Sequence, residues 1–179
     1  MIFEQSDKYN EIRDFAFPKY NEITDIGLYL EQVCKIVEKS LEPLFGTNDT
    51  EKWLTPAMIS NYVKQGVIEK PENKKYDRDR IAYLIFVCTC KMGLSLSDLK
   101  RFIGVQKSVE NLELSYNFFC EEFETVLKHV FSEKYGNGEN FEDIKSKKNE
   151  AKIIRAISYS VAHKIYLKKY VEFLKEQEK

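Results

Sequence analysis

The chain has 179 residues, 43% hydrophobic and 32% charged, enough to bury a core and too balanced for a disordered or fibrous protein. Its net charge of −1 conceals a division: residues 1–51 hold 5 basic against 11 acidic side chains, 52–104 hold 10 against 5, and 105–179 hold 13 against 13. The basic middle segment points to a polyanionic partner. No leader-like apolar stretch opens the sequence, and the longest apolar run, Ile81–Cys90, is half of the ~20 residues a membrane span needs. A cytoplasmic protein with no membrane partner is therefore expected. Cys34, Cys88, Cys90 and Cys120 lie on apolar faces without ligand spacing, and Cys88 and Cys90 point about 200° apart on a helix, so reduced thiols are expected and no metal.

In chain order, residues 1–24 mix aromatic and polar types around Pro18 and read as an irregular arm. A helix is expected from Asp25, with Ile26, Tyr29, Leu30, Val33, Ile36, Val37, Leu41 and Leu44 at helical spacing, ending near Gly46. Thr47–Lys52 reads as a loop. Thr55-Pro56 then supplies an N-cap and a proline at the first helical position, and the short helix that follows ends at Gly66. Pro71 forbids a helix over 67–76, so Val67 and Ile68 are expected to pair with Tyr76 in a small hairpin with Pro71–Lys74 at its tip.

Asp77 is the expected cap of the next helix, whose stripe is Ile81, Leu84, Ile85, Cys88 and Met92. Ser95-x-x-Asp98 is a capping box for a helix over Leu96–Ile103, with Gly104 ending it. Two long helices are expected over roughly 106–134 and 142–177, separated at Gly136-Asn137-Gly138. The expected organisation is an arm over 1–24, a segment of helices and a hairpin over 25–104, and a helical hairpin over 105–179 for packing or dimerisation.

Helix, loop, short helix, hairpin, helix, short helix is the order of a winged helix-turn-helix. A short helix fits the ~12 Å major groove while a basic hairpin lies along the phosphates. The residues carry a resemblance as well. Tyr62-Val63-Lys64-Gln65-Gly66-Val67-Ile68, Pro71, Lys74-x-Tyr76 and Gly93-Leu94-Ser95-Leu96-Ser97-Asp98-Leu99-Lys100 resemble the MerR family. Residues 25–103 are also similar to an uncharacterised bacterial domain-of-unknown-function family, sometimes labelled YkrK-like. Asp25-Ile26-x-Leu28-Tyr29, Leu54-Thr55-x-x-Met58-Ile59-x-Asn61-Tyr62 and Lys70-Pro71-x-x-Lys74-Lys75-Tyr76 carry that likeness. The resemblance implies a mainly α protein with a small two-stranded wing and DNA binding by analogy. Ser60 stands where MerR proteins usually place an arginine, Asn73-Lys74 stand for the wing's Tyr-Arg, and the first two helices are about ten residues apart.

The expected DNA contacts are Ser60, Asn61 and Lys64 on the short helix, Lys70, Asn73, Lys74 and Lys75 in the wing, and Arg78 and Arg80 at the next helix start. Asparagine reads adenine bidentately, and lysine reaches guanine or phosphate. Any surface helix has a polar face, so the cationic wing beside it is the discriminating feature. Two arginines at a helix N-terminus oppose the macrodipole unless Asp77 and Asp79, or a bound phosphate, offset them.

No carboxylate pair is flanked by a nucleophile, a phosphate loop or a histidine, so neither an enzyme nor a cofactor is expected. His129 and His163 read as structural. The expectation is a transcriptional regulator binding double-stranded DNA as a homodimer, with an effector ligand of unknown nature. The alternative is a protein–protein adaptor that uses a winged-helix fold without DNA binding.

Overall fold

The computed structural model describes residues 3–46, 53–106, 111–132 and 149–177, and it is mainly helical with a small two-stranded antiparallel sheet. The expected loop at 47–52, the break at 136–138 and the start of the last helix at 142–148 lie outside the described residues. Internal contacts divide the chain into two units, one of residues 17–120 and one combining 1–16 with 121–179.

The first unit is built on α2 (Leu30–Phe45), α3 (Pro56–Lys64), α4 (Arg78–Cys90), α5 (Leu96–Gln106) and the start of α6 (Leu112–Val130). Val33, Val37, Leu41 and Leu44 bury one face of α2. The helix begins at Leu30, not Asp25: the Gln32 side chain accepts from the Tyr29 N–H at 2.9 Å, and Leu28 and Tyr29 are extended as strand β1. Ile26 and Tyr29 matched the helical spacing yet stay exposed, because both precede α2 and lie outside its buried face.

Helix α4 is buried nearly all round, from Ile81 through Cys90, not along a single stripe. It is the central element, and its Asp77 side chain caps it by accepting from the Arg80 N–H at 3.0 Å. At α5, Ser95 Oγ accepts from the Asp98 N–H at 3.2 Å and donates to the Asp98 carboxylate at 2.6 Å. The helix continues past Gly104 to Gln106. Phe119 of α6 packs edge-on to Phe86 and against Phe17, while Tyr20 N–H and Tyr116 Oη bind Asn117 and the Pro18 carbonyl respectively.

The sheet differs from the expected hairpin. Strand β2 (Lys75–Tyr76) pairs antiparallel with β1, Leu28 opposite Tyr76 and Tyr29 opposite Lys75. Val67 and Ile68 take no part. Their N–H groups close on the Tyr62 carbonyl at 2.9 and 3.3 Å, and both side chains are buried. The Val67 bond, with Gly66 N–H on the Val63 carbonyl and Gly66 at φ 68, is a Schellman end to α3.

In the second unit the segment expected to be irregular holds a 3-10 turn, Phe3–Gln5, and α1 (Asp7–Arg13), capped by Ser6. Phe3 sits within 5.3–5.6 Å of Tyr9, Tyr166, Tyr170 and Phe173, an aromatic cluster that ties this segment to α7 (Asn149–Gln177). Within α1, Tyr9 packs edge-on to Phe3 and also meets Phe131, tertiary contacts that stabilise a seven-residue helix which propensity alone leaves marginal. No described helix is long and apolar enough to cross a membrane.

Candidate nucleic-acid interface

The candidate site is built from α3 and the turn before β2. Thr55 Oγ1 accepts from the Met58 N–H at 3.2 Å, Pro56 fixes the first turn, and Ile59 and Tyr62 anchor the inner face. That leaves Ser60, Asn61 and Lys64 exposed, as expected; Met58 is partly exposed too. Asn61 Oδ1 accepts from the Gln65 side chain at 3.2 Å. The far end of α3 is held from α5, where Lys100 Nζ donates to the Gln65 carbonyl at 2.6 Å. A cation on the last carbonyls of a helix satisfies an orphan acceptor and the macrodipole together.

Glu72 and Lys75 exchange backbone hydrogen bonds of 3.1 and 2.8 Å across Asn73 and Lys74, whose φ values are 49 and 64. Positive φ at both central residues is the type I′ pattern, so the tip is Asn73-Lys74. Asparagine tolerates this conformation; a lysine there bears a Cβ clash that glycine avoids. Lys70, Asn73, Lys74 and Lys75 are all exposed, and Lys64, Lys70 and Lys74 carry no ion pair among the described residues. Lys75 Nζ lies 5.5 Å from the centre of the Tyr29 ring.

Arg78 and Arg80 are placed differently from the lysines. Arg80 is 11% exposed; its Nε donates to the Lys70 carbonyl at 3.0 Å and its guanidinium pairs with Asp77 and, at 3.5 Å, with Glu72. Arg78 Nε donates to the Ile23 carbonyl at 2.8 Å, with its guanidinium over Tyr20. Tyr20 in turn donates to Asp79. Burial, then that carboxylate, pushes the Tyr20 hydroxyl up to about 12.

Behind α3, Lys91 has no obvious sequence signal. Its Nζ donates to the Trp53 carbonyl at 2.5 Å and to Tyr62 Oη at 3.1 Å, beside both rings. Trp53 meets Phe45 edge-on. Burial lowers the Lys91 ammonium from its ordinary 10.5 and raises the Tyr62 hydroxyl to about 12. The two act oppositely on stability. The unfolded chain keeps the lysine proton up to 10.5 while the folded chain releases it sooner, so stability climbs as pH approaches 10.5. Unfolded tyrosine ionises at 10.0 and Tyr62 only near 12, so stability falls across that window. Urea midpoints measured against pH should lose the climb in Lys91→Met and lose part of the fall in Tyr62→Phe.

Among the described residues no group of three or more His, Cys, Asp or Glu could hold a metal ion, and Cys34, Cys88, Cys90 and Cys120 are buried thiols. A family model described as "Domain of unknown function (DUF1836)" matches residues 18–123, more than half of the chain. No curated protein and no solved structure matches.

Proposed function

The chain belongs to the DUF1836 family, and from that premise we propose that it is a DNA-binding transcriptional regulator with a MerR-like winged helix-turn-helix. In this reading α3 enters the major groove, and the turn 72–75 is the wing that follows the adjacent phosphates. Asn61 reads a base edge, Ser60 and Lys64 flank it, and Lys70, Asn73, Lys74 and Lys75 face phosphates. Arg80 enters as a support of the wing and Arg78 as a brace to Ile23 and Tyr20, since their guanidinium groups are engaged within the fold.

The observation that carries the reading is Lys74, an exposed cation without an ion pair among the described residues, held at φ 64 at a turn tip where glycine fits better. Strain kept at an exposed position supports a role for its side chain. Binding as a homodimer presents two half-sites, and an effector of unknown nature is part of the proposal.

A second reading, the adaptor, draws on Leu167, Val171 and Leu174, exposed at helical spacing on α7. Selection of bound fragments from random duplex DNA at two salt concentrations separates the two. A regulator enriches a motif, and its affinity falls steeply with salt, by about 0.9 in log–log slope per phosphate contacted. An adaptor retains no fragment at low salt.

A further inference from the structure

Beside the wing lies a short stretch that the proposed interface does not use. Ile26, at 70% exposure, is the most exposed large apolar side chain among the described residues, and Tyr29 is 55% exposed. Both flank Gly27. A Cβ placed on Gly27 would stand 3.1 Å from Lys75 Cβ and 3.3 Å from its Cδ. The glycine therefore lets the lysine stem lie flat across β1, and the Tyr29 ring receives the ammonium at its end. The pairing of Tyr29 with Lys75 puts both on the outer face of the sheet. Ile26, Tyr29 and a seated cation thus lie next to the turn that carries Lys74.

We propose that Ile26 and Tyr29 form a second, apolar contact to duplex DNA, with Ile26 packing on the sugars and base edges of the minor groove and Tyr29 positioning Lys75 for the phosphate row. The inference rests on the DNA-binding reading above. A polyanion with apolar surface between its phosphate rows suits cations interleaved with exposed aliphatic and aromatic groups. An anionic membrane would also attract this edge. A lipid surface, however, asks for a broad apolar face, whereas here there are two side chains and a cation fixed in place by Gly27 and Tyr29.

The test uses the full chain, a labelled short random-sequence duplex, and anionic phospholipid vesicles as competitor. Ile26→Ser should weaken duplex binding about tenfold with an unchanged salt slope, because an apolar contact releases no counterions. Tyr29→Ala should weaken binding and flatten the slope by up to about 0.9, and Tyr29→Phe should restore both. Equal melting temperatures of Ile26→Ser and wild type check the fold. Wild-type binding with Ile26→Ser and Tyr29→Ala unaffected overturns this inference and leaves the DNA reading standing. Loss of vesicle binding alone in those variants also overturns it, in favour of a membrane. No duplex binding by wild type at low salt removes both.

Discussion

Lys74→Gly should make the protein more stable by about 1 kcal/mol and weaken its binding to duplex DNA about fivefold at physiological salt. The stability gain follows from φ 64 at this position. An L-residue in that region costs roughly 1–2 kcal/mol, of which the greater backbone freedom of unfolded glycine takes back about 0.5–1. The loss of binding follows from one phosphate contact, whose removal lowers the log–log salt slope by about 0.9. Lys74→Ala keeps the strain and removes the charge, so it should bind as weakly as the glycine variant without its gain in stability. Replacing Lys74 and Lys75 together should cost about 30-fold and about 1.8 in slope. Urea unfolding and salt titration of binding read the two effects separately. An unchanged slope in Lys74→Gly would sink the wing assignment, whatever happened to stability.

Helix ends set by local chemistry were legible. Thr55-Pro56, Gly66, Asp77 and Ser95 each act within four residues of themselves, and each acts as its type dictates. Features decided by distant partners were not. Ile26 and Tyr29 fall at helical spacing with Val33, yet the chain there is extended because Tyr76 and Lys75, nearly fifty residues on, supply a strand partner. Val67 and Ile68 suit a strand by type, but their N–H groups are spent on Tyr62. Lys91 and Lys100 look like ordinary surface lysines, and only the fold brings them to the Trp53 and Gln65 carbonyls. The short α1 was unreadable for the same reason, since its Tyr9 rests on Phe131 and on Phe3, which rings of α7 hold in turn. For the interface, the exposure of Ser60, Asn61 and Lys64 was legible from the periodicity of α3, and so was Asp77 as a partner of the arginines, while the Ile23 and Lys70 carbonyls that engage Arg78 and Arg80 were not.

That engagement leads to the second large effect. Arg80→Ala should destabilise the protein by about 2 kcal/mol and leave the salt slope of DNA binding unchanged. Its guanidinium joins the segment before the 72–75 turn, through the Lys70 carbonyl, to the cap of α4, through Asp77. Truncation leaves that carbonyl without its charged donor and Asp77 without its counter-ion at a helix N-terminus. Asp77 and Glu72 are substantially exposed, so water softens the loss of the ion pairs, and most of the cost falls on the hydrogen bond to the carbonyl. The two substitutions should therefore separate cleanly: Lys74 acts on binding with a gain in stability, Arg80 on stability without a change in slope. Measured below the variant's melting transition, an Arg80→Ala slope reduced by about 0.9 with full stability would mean that Arg80 leaves its carbonyl to meet a phosphate. The wing would then be rebuilt on binding, and the lysines at its tip would share the phosphate row with the arginine that now braces them.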